Sequence, residues 1–252
     1  MWSQLLYGTP YSPVAFRLWH LDSTPRAMCG RYMLVSSGEE LSQRFQVAEA
    51  PPVERYNAAP LQFLPVIYRE AGQNRLDFFR WGLTPAWAAE DFGGRLINAR
   101  AESLRERPSF RHLLSRRRCL VPATAFYEWL KHPSGRFPFR FFLPTEPLFA
   151  LAGLWDEWCN PETGELLRSF AIVTVPANAL VARIHDRMPA VLTRQAEHLW
   201  LHEQTPVTTA LSCLQPYPAD SMAYAPASRR LNHPQNDDAS VLAPDVELPE
   251  PF

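Results

Sequence analysis

Met28-Cys29-Gly30-Arg31-Tyr32 sets a cysteine directly after a methionine. An isolated cysteine is most often a small buried hydrophobe. A cysteine exposed as a chain start by removal of that methionine is a different chemical object, because it carries a 1,2-aminothiol. Its amine titrates near pH ~8 and its thiol near ~8.5, so both keep reactive fractions at neutral pH. The amine condenses with an aldehyde to an imine, and the thiol then closes a thiazolidine ring on the same carbon. The amine must be neutral to attack, and an acid must help expel water.

Three further segments carry candidate partners. In Ile97-Asn98-Ala99-Arg100-Ala101-Glu102, local pattern alone reads a helix entrance capped by Asn98 with Glu102 in the first turn. The alternative gives Asn98 hydrogen bonds to a reacting group and Arg100 an anion. In Ala125-Phe126-Tyr127-Glu128-Trp129, a lone strand glutamate ordinarily faces solvent. If buried instead, its pKa rises toward neutrality and suits it to acid–base work. In Arg183-Ile184-His185-Asp186-Arg187-Met188-Pro189, His185 could donate a proton and Arg187 bind an anion. The plain reading there is a surface turn with a weak Asp-Arg pair.

The elements that must position these residues are short. Arg31 to Val35 alternates apolar and polar residues as a strand does, and Glu39 to Phe45 reads as a helix with Ser37 at its N-terminus and Pro51-Pro52 beyond it. Phe63–Tyr68 and Leu76–Trp81 flank Ala71-Gly72-Gln73-Asn74 as a hairpin. Further strands are expected at 119–121, 125–130, 137–142, 149–155 and 169–175, with a turn at 161–164. A helix containing Pro108 is expected over 101–114, a helical turn over 177–181, and a helix over 193–201 capped by Thr193. Runs of strands with few helices predict an α+β fold. It should be a single domain with a mainly antiparallel, barrel-like β-sheet core and flanking helices.

The 252 residues, nearly half apolar and with eight Trp, suffice for one core. The 25 prolines against 10 glycines favour short elements with stiff turns. A net charge of −1 gives no global pull on nucleic acid, so any such binding must be local. The four cysteines (Cys29, Cys119, Cys159, Cys213) form no CxxC motif. A zinc ribbon, a redox pair and a disulfide framework are therefore disfavoured, and a reducing, cytoplasmic setting is expected. Cys119, Cys159 and Cys213 read as packing or surface thiols, Trp129, Trp155 and Trp200 as core, and Arg116-Arg117-Arg118 as a solvated run. No apolar run approaches the roughly 20 residues of a membrane span, and Pro10, Pro13 and Arg17 break any secretory signal pattern.

Over residues 28–240 the chain resembles the SOS-response-associated peptidase (SRAP) family. The landmarks occur in that family's order: Met28-Cys29-Gly30-Arg31, Arg55-Tyr56-Asn57-Ala58-Ala59-Pro60 and Trp81-Gly82-Leu83-Thr84-Pro85. Next come Ile97-Asn98-Ala99-Arg100, Phe126-Tyr127-Glu128-Trp129, Ile184 to Pro189, and Asn232 to Asn236. The resemblance implies a protein that binds single-stranded DNA and caps abasic sites, whose ring-opened sugar is an aldehyde. It places the catalytic residues on Cys29, Asn98, Glu128 and His185. It places DNA contacts on Arg31, Asn57, Arg100 and Arg187, on Thr174 as a polar residue lining the site, and on Trp87 as a base-stacking aromatic. It implies no metal or organic cofactor, a monomer, and association with the nucleoid when bound to DNA. The rival readings are a cysteine peptidase built on Cys29 and His185, and a non-covalent single-strand binder.

The sequence departs from the family at its start, where 27 residues precede Met28 and an acidic tail follows 240. While residues 1–27 remain attached, Cys29 has an amide in place of an amine. Translation beginning at Met28 is the favoured explanation, since the extension lacks element patterning. Self-cleavage of the extension is the second, and DNA binding without capping the third.

Overall fold

The computed structural model describes residues 29–245. The expected extension over 1–27, Met28, and positions 246–252 of the expected tail lie outside the described residues.

Among the described residues thirteen strands and three α-helices follow in order. The strands are β1 (Tyr32–Ser36), β2 (Val53–Ala58), β3 (Phe63–Glu70), β4 (Gln73–Trp81), β5 (Asn98–Arg100), β6 (Arg118–Ala123) and β7 (Ala125–His132). They continue as β8 (Gly135–Phe142), β9 (Phe149–Cys159), β10 (Leu166–Pro176), β11 (Arg187–Pro189), β12 (Val191–Leu192) and β13 (Ala223–Pro226). The helices are α1 (Gly38–Phe45), α2 (Arg194–Leu201) and α3 (Val207–Ser212). One sheet runs β13-β8-β7-β1-β2 and the other β11-β10-β4-β3-β6-β9-β12. An additional β10–β9 pairing closes five strands of the second sheet into a barrel, and β5 pairs onto β10. Among the described residues only the β10–β4 and β10–β5 pairings are parallel. The expected α+β fold with a mainly antiparallel, barrel-like sheet is the fold observed.

Local chemistry explains the elements the sequence announced. Ser37 Oγ accepts from the Glu40 N–H at 3.2 Å, and Glu40 Oε2 accepts from the Ser37 N–H at 2.9 Å, a reciprocal cap that starts α1. Leu41 and Phe45 turn its apolar side to the core. Thr193 caps α2, and Arg44 ties the two helices with a bidentate pair to Glu197 at 2.6 and 2.9 Å. Trp81, Phe79, Phe170 and Tyr32 are among the largest fully buried side chains of the core. Gly153 on β9 lets β6 approach: a Cβ there would stand 2.8 Å from Cys119 Sγ.

Several expectations need correction. The helix over 101–114 does not form. Only 3-10 turns at Ala101–Ser103 and Leu113–Ser115 appear, because Pro108 removes a donor and clashes with the preceding turn. Leu104, Phe110, Leu113 and Leu114 are still buried. Asn98 therefore caps no helix and lies in β5. Arg118 is no solvated residue. Its guanidinium is buried and donates to the carbonyls of Trp200, Leu114 and His202. Arg117 lies over the Trp155 ring at 4.1 Å. Strands β2, β5, β11, β12 and β13, and helix α3, are additions. The packing also continues past 240, where Val241 is fully buried and its carbonyl accepts from the Ser228 N–H.

Candidate active site

Cys29 precedes β1, and β1 pairs with β7 through Tyr32 and Phe126. Alternation along β7 puts Glu128 on the same face as Phe126, which belongs to the main core. Glu128 is consequently 2% exposed, and the expectation that a lone strand glutamate faces solvent fails here. Glu128 Oε1 accepts from Cys29 Sγ at 2.7 Å and from the Cys29 backbone N–H at 3.2 Å. Cys29 is itself buried, and its φ of +33° is in the left-handed region that residues with a Cβ avoid.

Burial dominates the electrostatics of this pair. It pushes the Glu128 carboxyl up to about 8, against the lowering effect of its bonds to Cys29. It also raises the Cys29 thiol well above its ordinary value, helped by the Glu128 charge, while Arg187 acts in the opposite sense. Both shifts favour the protonated, uncharged forms of the two groups at neutral pH.

Strand β10 gathers the remaining residues. Its Ile172 and Thr174 pair with Asn98 and Arg100 of β5, and its Thr174 and Pro176 pair with Pro189 and Arg187 of β11. Asn98 Nδ2 donates to the Cys29 carbonyl at 3.4 Å. Thr174 is fully buried, and its carbonyl and hydroxyl accept from Arg187 Nη2 at 2.7 and 3.3 Å. The outer side of Arg187 is met by Glu102, at 2.6 and 3.0 Å. His185 Nδ1 accepts from the Arg187 N–H at 3.0 Å and lies 3.3 Å from Asp186 Oδ1. Asp186 and Arg187 both act electrostatically on Cys29. The structure thus brings Cys29, Glu128 and Asn98 into direct contact, with Thr174 and Arg187 alongside. Among the described residues no hydrogen bond joins His185 to Cys29 or Glu128.

Arg31 and Asn57 belong to a neighbouring network. Arg31 Nη1 donates to the Leu231 carbonyl at 2.7 Å and to Asn57 Oδ1 at 3.4 Å. Asn57 is fully buried, and its amide holds the carbonyls of Leu231, His233 and Asn236 at 3.4, 3.1 and 2.9 Å. It fastens the C-terminal segment that Arg31 leans on. Trp87 stands 57% exposed, edge-on to Phe92. Arg100 lies on the exposed side of β5.

Sequence reasoning missed two neighbours. Trp129, expected in the core, is only partly buried. Arg31 and Arg136 sit over its ring at 5.9 and 5.7 Å, and its indole N–H donates to Asn232 Oδ1 at 2.7 Å. Its place beside Glu128 was the available signal. Glu102 was read only as a first-turn acid, because nothing local ties it to Arg187, 85 residues away.

Fold and site together define a class: a single β-rich domain that opens on a buried cysteine–carboxylate pair flanked by arginines. A family model described as SOS response associated peptidase (SRAP) matches residues 28–234, and the chain belongs to this family. It is 40% identical over 222 residues to the abasic site processing protein YoqW of Bacillus subtilis (strain 168), covering 85% of this chain and 99% of that one. It is 30% identical over 229 residues to the abasic site processing protein HMCES of Gallus gallus, covering 78% and 67%. A solved protein from Bacteroides thetaiotaomicron superposes with a TM-score of 0.79 at 26% identity, over 86% of this chain and 100% of its own. No helix among the described residues is long and apolar enough to cross a membrane.

Proposed function

We propose that this protein processes abasic sites in DNA, joining Cys29, as an N-terminal residue, to the ring-opened sugar in single-stranded DNA. The observation that carries the reading is the single carboxylate oxygen of Glu128 within hydrogen-bond distance of both the nitrogen and the sulfur of Cys29. A 1,2-aminothiol uses both atoms on one carbon, and a shared acid–base group serves both steps. Family membership and the abasic site processing relatives supply the substrate class.

The steps follow from the residues. His185 protonates the sugar ring oxygen and opens it to the aldehyde. The neutral Cys29 amine adds to the carbonyl carbon. Glu128 takes a proton from the amine and returns one to the departing hydroxyl, so one water leaves and an imine forms. The Cys29 sulfur then adds to the imine carbon, its proton passing through Glu128 to nitrogen, and the thiazolidine closes. Asn98 holds the Cys29 backbone through its carbonyl. Arg31, Arg100 and Arg187 meet phosphates, and Trp87 offers a stacking face.

With residues 1–28 attached, the Cys29 nitrogen is an amide. The same geometry supports self-exposure: Sγ attacks the carbonyl of residue 28, the C–N bond breaks, Glu128 passes the thiol proton to the leaving nitrogen, and water hydrolyses the thioester. The left-handed φ at Cys29 strains that bond's flank.

The test compares oligonucleotides carrying a true abasic site and a reduced one with no aldehyde. Both should bind, and only the first should give an adduct that survives denaturation. Adducts with both, or with neither, contradict the proposal.

A further inference from the structure

Arg187 is held from two sides by groups of opposite character. From behind, the Thr174 carbonyl and hydroxyl fix Nη2 at 2.7 and 3.3 Å. Both are neutral groups of one fully buried residue of β10, so the guanidinium keeps its place without help from outside. From the front, Glu102 spans both terminal nitrogens with its two oxygens, at 2.6 and 3.0 Å. That fork-on-fork geometry is the one an arginine offers to a carboxylate and to a phosphate alike. The Glu102 side chain is 51% exposed and that of Arg187 11%. The acid is therefore the solvent-side member of the pair. The match is also incomplete, since Arg187 Nε is buried with no hydrogen-bond partner.

We infer that Glu102 is an internal stand-in for a DNA phosphate, occupying Arg187 in the free protein and displaced when the strand binds. The inference rests on the DNA reading above. A buried guanidinium beside Cys29 is costly without a counter-charge, and Glu102 supplies one until the substrate does. Thr174 keeps Arg187 aimed through the exchange. The carboxylate thus taxes every ligand that approaches Arg187, and only an anion also held by the neighbouring contacts repays the tax.

The sign of one substitution separates this role from a structural one. Glu102→Gln keeps size and one acceptor but removes the charge. If Glu102 competes with phosphate, the variant binds an abasic-site single strand more tightly than wild type. Its plot of log affinity against log salt also steepens, by up to about 0.7, the slope expected per phosphate on a single strand. Between 50 and 200 mM salt the variant's advantage should then shrink by about threefold. Glu102→Ala should gain likewise, since Thr174 still holds the arginine. Arg187→Ala should lose affinity and flatten the slope. If the wild type binds and Arg187→Ala weakens it, but both Glu102 variants bind no better, Glu102 merely positions Arg187 and the inference is wrong. If the wild type shows no salt-dependent binding at all, the DNA reading falls and takes the inference with it.

Discussion

Glu128 Oε1 stands 2.7 Å from Cys29 Sγ and 3.2 Å from Cys29 N. One oxygen therefore governs the protons on both atoms that a thiazolidine requires. The relationship spans 99 residues of chain and is set by the pairing of β1 with β7.

Glu128→Gln should keep the shape of the site and remove its proton carrier. Adduct formation should slow by about 10²- to 10⁴-fold, the usual range for a general acid–base group, while affinity for the reduced, unreactive site changes little. Gel-resolved adduct kinetics alongside a binding isotherm measure both. A rate near that of wild type would remove Glu128 from the mechanism.

The raised Glu128 pKa also predicts a stability profile. Its folded value of about 8 lies above that of an unfolded glutamate, ~4.3. The folded state therefore binds the proton more tightly. This contribution to stability is complete below pH ~4 and is lost as pH rises toward 8. Wild-type Tm should fall relative to Glu128→Gln, which cannot ionise, between pH 5 and 9. Parallel Tm curves would show that Glu128 is not the buried acid described.

Asn57→Ala should destabilise the fold rather than only weaken DNA binding. It empties a fully buried position and removes the donor to the His233 and Asn236 carbonyls, while that of Leu231 keeps Arg31. The cost of about 1–3 kcal/mol lowers Tm by several degrees in a domain of this size. Hydrogen exchange should quicken first in 231–241. A stable variant with reduced DNA affinity would instead make Asn57 a direct contact.

Trp87→Ala should do the reverse. The ring is more than half exposed, so Tm should hold, while single-strand affinity should fall by about tenfold, near the lower end of what one base–aromatic stack contributes. Unchanged affinity would remove Trp87 from the DNA path.

The sequence announced what is local. Ser37 and Thr193 as caps, the hairpin after Tyr68 and the strand over 125–130 all rest on spacings of a few residues, and all appear in the fold. Arg118 shows what is not local. Its neighbours Arg116 and Arg117 make it look like part of a solvated run, yet its carbonyl partners come from Leu114, Trp200 and His202. The 101–114 segment has helical composition and a proline that forbids the helix, and its apolar side chains are buried by residues distant in sequence. In the site, the residue types at Cys29, Asn98 and Glu128 were legible from motif and resemblance. Their contacts were not, because β5 reaches Cys29 only through its parallel pairing with β10. The Glu102 clamp left no local trace either.

The central claim is that Cys29 reacts as an N-terminal aminothiol. The most direct measurement takes three proteins: the full chain, a form initiated at Met28, and that form with Cys29→Ala. Each is mixed with a single-stranded oligonucleotide carrying one abasic site, and intact mass is read after denaturation. The form starting at Met28 should lose that methionine and give an adduct equal to protein plus DNA less one water. Cys29→Ala should give none, and any adduct from the full chain should carry a protein lacking residues 1–28. Absence of adduct from a protein whose mass confirms Cys29 as its first residue would contradict the account.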